Sequence, residues 1–309
     1  MRVLFLGLLL GVLVSVSSYG QRPVIAEGDL AQLKEWEDTI ALLSYAIIND
    51  SFPENRFGAT KKLIPTLVKA LKTPNSFYYP FSRVQSISIQ YPPDSTFRIF
   101  TWQLYVDVNE YRYYGAIQMN SPDLKLFPLV DRSFDVKEVE YDVLPADQWY
   151  GALYYGIREF QSQQGLKYLL FGYDAYSFFN KRKVIDVLSF VNGKPQFGAP
   201  VFYRQEGESG LQVRNRLLFQ YSAEAAIKCN YDPVLNMVVV DHLEEVGELY
   251  EGQGSTSIPD GTYEAYQYSN GVWNYLPMLE NQILDEPPRP FPILEGSEDK
   301  DILGRKKGN

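Results

Sequence analysis

Between Asp29 and Ile48 the apolar residues Leu30, Leu33, Trp36, Ile40, Leu43 and Ile47 recur at steps of three and four, the spacing that lines one face of an α-helix. Asp29 is placed to cap this helix, with Gln32 three residues on, and Ser51, Phe52 and Pro53 end it. Leu63, Leu67 and Leu71 predict a second, shorter helix over Thr60–Lys72, with Pro65 early in it and Thr73 and Pro74 closing it. Stripes of this width face a core by default.

After Phe77 the period shortens to two. Val84–Tyr91, Phe97–Val106, Tyr111–Met119 and Lys125–Val130 read as strands, separated by turn residues at Pro92–Ser95, Asp107–Asn109 and Ser121–Asp123. Ala146–Phe160 interrupts the series, because Trp149, Leu153 and Ile157 stand at helical spacing and predict a third helix. Strands resume at Lys167–Tyr173, Arg214–Tyr221, Ile227–Tyr231 and Met237–His242, while the Gly-, Glu- and Ser-rich stretch Glu244–Asp260 reads as a long exposed loop.

The strongest local signals are two Asn-Gly pairs between strand-forming runs, Asn192–Gly193 and Asn270–Gly271. A two-residue type I′ turn places both residues at positive φ and sets the register of the hairpin. Leu188 then faces Phe197, Ser189 faces Gln196 and Phe190 faces Pro195, with Val191 and Lys194 closing the turn. Pro195 falls at a non-bonded position and Pro200 at a bonded one, so the ladder is expected to break at Gly198–Pro200 and Val201–Tyr203 to continue as a re-aimed strand. In the second copy Tyr266 faces Tyr275, Gln267 faces Asn274 and Tyr268 faces Trp273. An acid stands six residues before each turn Asn, Asp186 in one hairpin and Glu264 in the other.

Together these elements predict a mainly β (α+β) fold: an N-terminal helical segment, residues 21–76, packed on a long antiparallel β-meander over residues 77–285. A curved sheet, a sandwich and a propeller-like arrangement all satisfy the pattern. Residues 286–309, rich in Pro and charge, read as a disordered tail. Residues 1–20 read as a secretory signal, with Arg2 ahead of the apolar run Val3–Val14 and with Ser18 and Gly20 before a cut near Gln21. The apolar run is too short for a membrane span of about 20 residues, so the mature chain is expected in the periplasm or outside the cell and not spanning a membrane.

Composition narrows the function classes. A formal charge of −9 lacks the cationic footprint that nucleic acid requires. The single Cys229 precludes an intramolecular disulfide and reads as a small buried hydrophobe. One His, His242, leaves little for a Ser-His-Asp hydrolase, and no G-x-S-x-G elbow accompanies it. With one His and one Cys, no transition-metal site and no cofactor are expected. Gly252-Gln253-Gly254 lacks the strand, helix and Lys of a phosphate loop, and Asp107, Asn109 and Tyr111 lack the Gly and distal Glu of an EF-hand.

Two candidate sites remain. The carboxylates Asp174, Asp186, Asp241 and Glu264 stand near strand ends, where a pair across a cleft would suit a glycosidase-like hydrolase. The ladder Tyr266, Tyr268, Trp273 and Tyr275, with Glu264 at its rim, would suit a sugar or a peptide if its face is open, and is core if that face is covered.

The segments LYVDVNEYRYYGAIQMN, FNKRKVIDVLSFVNGKPQFG and DGTYEAYQYSNGVWNY resemble an uncharacterised family of exported bacterial proteins, Gram-negative and Bacteroidota-like. The resemblance implies export and carries no activity. The expected role is an exported, non-catalytic binding or structural module with a carbohydrate or peptide partner, and the alternative is the carboxylate hydrolase.

Overall fold

The computed structural model describes residues 24–206 and 210–279. The expected leader and tail lie outside these residues. Two helices come first, α1 (Glu27–Asn49) and α2 (Pro53–Leu71). The stripe of α1 is inward, with Leu33, Ile40 and Ile47 fully buried. Asp29 does not cap it: the helix starts upstream, and Asp29 lies in the first turn, where a negative charge meets the positive end of the helix dipole. α2 begins at Pro53 rather than Thr60, because a proline loses no hydrogen bond at the first helical position. Pro65 consequently sits inside the helix.

The rest of the described chain is β. Strands β1 (Ser88–Gln90), β2 (Phe97–Asp107), β3 (Glu110–Met119) and β4 (Leu126–Val130) form a first sheet in sequential order. A second sheet follows from β5 (Leu144–Pro145), β6 (Leu153–Ser162), β7 (Gly165–Asp174), β8 (Asn180–Val191) and β9 (Lys194–Phe197). The chain then leaves for a third sheet as β10 (Phe202–Glu206) and β11 (Gly210–Arg214) and returns to the second as β12 (Leu217–Ser222), which pairs with β8. It ends in the third sheet with β13 (Cys229–Asp232), β14 (Met237–Val246), β15 (Thr256–Ser269) and β16 (Val272–Leu276). All pairings are antiparallel among these strands except β10 with β16.

Helices and sheets stack as four layers with three cores between them. Leu33, Ile40, Leu63 and Leu67 meet Phe100, Trp102 and Leu104 of the first sheet. The opposite face of that sheet, Phe97, Ile99 and Ile117, meets Tyr154, Leu170, Val184 and Leu188 of the second. The second sheet's other face, Leu169, Phe171, Ile185 and Val187, meets Val238, Val240, Tyr266 and Trp273 of the third. No described helix is long and apolar enough to cross a membrane.

Both Asn-Gly turns are as expected. Asn192 and Gly193 have φ of 52° and 74°, Asn270 and Gly271 of 53° and 84°. The registers agree pair for pair, Leu188 with Phe197 in one and Tyr268 with Trp273 in the other. The ladder also breaks as expected, after Gly198. Gly198 still donates in register to Val187 at 2.7 Å, whereas Ala199 donates to Asn215 at 3.1 Å, and the re-aimed strand β10 lies beside Trp273.

Three further element assignments need correction. Ala146–Phe160 is not a helix: a short 3-10 turn (Ala146–Gln148) leads to Trp149, buried in the middle core, and then to strand β6. A strand covered on both faces loses its two-residue alternation, and a bulge between Tyr154 and Gly156 shifts what remains, so the spacing of Trp149, Leu153 and Ile157 imitates a helix. Arg214–Tyr221 is two strands in two sheets, divided at Asn215 and Arg216. Glu244–Asp260 is a loop only over residues 247–255; its two ends are paired, Val246 opposite Thr256 and Glu244 opposite Ile258, because ladder bonds form between main chains whatever the polarity of the exposed side chains. The first and the Cys229 strands are also shorter than their sequence patterns, at Ser88–Gln90 and Cys229–Asp232.

Candidate functional site

Where β12 of the second sheet meets the third sheet, a recess of about 220 Å³ is lined by Glu140, Arg204, Arg214, His242, Glu264, Tyr266 and Tyr275, together with Leu217, Leu218, Phe219 and Leu243. The fold assembles it from distant segments. The excursion through β10 and β11 brings in Arg204 and Arg214, and the hairpin around Asn270–Gly271 sets Tyr275 opposite Tyr266, within hydrogen-bond reach of Glu264 on the same face. His242 stands opposite a bulge in β15, where Asp260, Gly261 and Thr262 face this one residue between the pairs Asp241–Tyr263 and Leu243–Pro259. Bulges re-aim side chains, and here the imidazole reaches across the ladder to Asp260, Nδ1 to Oδ2 at 2.8 Å.

Each charged group has a defined partner. Arg214 Nη1 donates to Glu140 Oε1 at 3.0 Å, and the Leu218 amide donates to the same oxygen at 3.2 Å. Tyr275 donates its hydroxyl proton to Glu264 Oε2 at 2.9 Å, and the Arg204 guanidinium lies 4.3 Å from the centre of the Tyr275 ring. Burial pushes the Glu264 carboxyl above its ordinary range, with the Tyr275 hydrogen bond and Arg204 opposing that shift. Burial and the neighbouring Glu264 push the Tyr275 phenol up to about 12. Asp260 is held down at about 2 by the Thr262 amide and hydroxyl and by His242. The recess therefore offers fixed cations, a carboxyl that takes a proton readily and an imidazole oriented by a carboxylate.

The aromatic ladder divides between core and recess. Tyr266 and Trp273 are buried in the third core, Trp273 against Phe160 at 5.6 Å between ring centres, so these two are packing residues. Tyr268 is half-buried on the edge of that core. Glu264 and Tyr275, together with the inner Tyr266, line the recess.

The four carboxylates proposed for hydrolysis are not gathered. Asp186 lies in the middle core, its Oδ1 2.9 Å from Arg216 Nε with both side chains fully enclosed, and Tyr154 donates to its Oδ2 at 3.1 Å. Asp174 lies on the same face of the second sheet and accepts the hydroxyls of Tyr113 and Tyr150 at 3.1 and 2.9 Å, its carboxyl raised by burial. Asp241 accepts the Lys228 amide at 2.7 Å. Only Glu264 faces the recess, and the second acid there is Glu140.

Sequence reasoning passed over Glu140, Arg204, Arg214 and Asp260. The first stands between strands with no periodic signal, Arg204 falls just past the expected strand Val201–Tyr203, and Arg214 reads as an ordinary strand residue. Asp260 lies in the stretch that reads as a loop, and inside β15 it bonds the Thr262 amide and hydroxyl at the bulge. No family model, no curated protein and no solved structure matches this chain.

Proposed function

We propose that the chain is an exported binding module of a Gram-negative, Bacteroidota-like cell, working in the periplasm or at the cell surface, and that the recess between the second and third sheets holds one ring of a carbohydrate. The short apolar run before Gln21 and the resemblance of its hairpin segments support export. The carrying observation for the site is the convergence of Glu264, Tyr275, Arg204 and His242 on one recess of about 220 Å³. Vicinal hydroxyls need acceptors and donors side by side against an aromatic face, and these groups supply all three. Glu140 is committed to Arg214 and the Leu218 amide, so it positions the wall of the site.

One observation favours a second reading, a carboxylate hydrolase. Glu140 and Glu264 line the same recess in different environments, one beside Arg214 and the other raised by burial, which is how an acid and a base are separated in glycoside hydrolysis. A glycan array followed by calorimetry on the wild type and Glu264→Gln separates the two readings. Binding without turnover predicts about a tenfold weaker Kd for Glu264→Gln and no reducing ends released by either protein. Reducing ends released by the wild type and lost in the variant would replace the binding reading with the hydrolase. An array with no glycan retained, at any pH between 5 and 8, would overturn both. Mass spectrometry of the protein recovered from the exporting host should find the mature N-terminus near Gln21, and an intact Met1 would remove the export proposal.

A further inference from the structure

Strand β3 outruns its neighbour β4. The two pair from Gln118 back to Tyr114, where Val130 lies opposite, and β4 then turns off toward Trp149, whose carbonyl accepts the Arg132 amide at 2.8 Å. Tyr111–Tyr113 remains paired with β2 on one side and has no strand on the other among the described residues. Bonded positions alternate along an antiparallel ladder. Met119 donates to Lys125 across β3 and β4, so Tyr113 and Tyr111 direct their main-chain groups into the same lane. Asp131 closes the Tyr113 amide with its own carboxylate at 2.9 Å. The next position, Tyr111, meets no strand in the lane.

A recess of about 700 Å³ lies along this open lane, lined by Tyr111, Tyr114, Val130, Arg132 and Phe134 among others. Its outer wall is apolar and uncovered, with Val130 41% and Phe134 76% exposed. The Arg132 guanidinium lies 5.9 Å from the Phe134 ring centre and makes no ion pair among the described residues, whereas Arg112 is paired with Glu110. We propose that the lane receives an extended peptide as an added strand of the first sheet. Its main chain bonds to Tyr111, its apolar side chains cover Val130 and Phe134, and an acidic side chain meets Arg132. A peptide is the fitting occupant because the unmatched groups are the donors and acceptors of a strand edge beside an apolar wall, which an extended backbone satisfies and a saccharide does not. The site is separate from the recess at Glu264 and does not depend on its function.

The test uses a phage-displayed library of random dodecamers selected against the whole protein, with the enriched peptide then synthesised. The proposal expects Arg132→Glu to weaken that peptide about tenfold or more through loss of a charge-assisted contact. Phe134→Ser, at a position too exposed to disturb folding, should weaken it as well, and Glu264→Gln should leave it unchanged. Methylating the peptide amides that face β3 should abolish binding, and hydrogen exchange at the Tyr111 amide should slow when the peptide is bound. Failure of the library to enrich would overturn the proposal. So would peptides indifferent to Phe134→Ser and to amide methylation, or occupation of the lane only by a second copy of the chain, seen as a concentration-dependent dimer that Phe134→Ser abolishes.

Discussion

Around Asn192–Gly193 and Asn270–Gly271 the chain makes the same turn in the same register, and each hairpin carries an acid six residues before its Asn. Asp186 belongs to the middle sheet, which has a core on each face, and Glu264 to the outer sheet beside a recess. Enclosed on all sides, Asp186 lies within an ion-pair distance of Arg216, whose Nη1 also donates to the Val139 carbonyl. Glu264 keeps a hydroxyl and a guanidinium for company and a space in front of it. Local code of one kind thus yields a structural ion pair in one layer and a candidate ligand group in the next. A carboxylate in the middle of a stack has to be matched by the chain itself, because no solvent or ligand can reach it.

Breaking the enclosed pair should have the largest effect. Arg216→Met leaves Asp186 buried without its cation and should cost about 3 to 5 kcal/mol, measured by chemical unfolding. The double variant Asp186→Leu with Arg216→Met should recover most of that loss. Equal stability of single and double variants would show that the charges do not interact. Trp273→Ala tests the other hairpin, and loss of a fully packed indole should cost about 3 to 5 kcal/mol. A variant that melts like the parent would mean that the ladder is surface and would transfer the candidate site to Trp273.

The turns themselves sharpen the contrast at smaller cost. A β-carbon at Gly193 meets open space, so Gly193→Val should lose only the strain of a branched residue at positive φ, about 1 to 3 kcal/mol. At Gly271 the same carbon would approach the Gln163 amide nitrogen to 2.8 Å, so Gly271→Val should be distinctly the worse of the two. Equal melting temperatures would mean that the packing of the second turn on the β6–β7 connection is loose.

The smallest effect is the pH dependence. The folded Glu264 carboxyl is raised above its ordinary 4.5, so its stabilising contribution is complete below that value and is lost as pH rises through the folded pKa. Asp260 has the opposite sign: lowered from 3.8 to about 2, it contributes above 3.8 and loses that contribution as pH falls toward 2. Unfolding measured across pH 2 to 8 should therefore be flatter on the neutral side for Glu264→Gln and flatter on the acid side for Asp260→Asn. Parallel curves for parent and Glu264→Gln would show that the carboxyl is solvated.

Much of the fold was readable because its causes are local. The Leu33–Ile40–Ile47 stripe, both Asn-Gly turns, their registers and the break at Pro200 follow from side-chain period and from the φ that Asn and Gly tolerate. The candidate site was half readable. Glu264 and Tyr275 could be placed on one face from the register, but nothing in the order of residues announced that Arg204, Arg214 and Glu140 would come to the same face.

By itself the sequence determined two helices, the run of strands and the pairing inside each hairpin, since these depend on neighbours a few residues apart. Tertiary structure decided which strands share a sheet. β8 accepts β9 along one part of its edge and β12 along another, after a detour through a different sheet, and only that detour brings Arg204 and Arg214 into one recess with Glu264. It also decided that Leu153–Ser162 is a strand, because a sheet with cores on both faces has no polar side left to mark its period. The core-or-surface choice for Trp273 was settled the same way, by what the second sheet places against it.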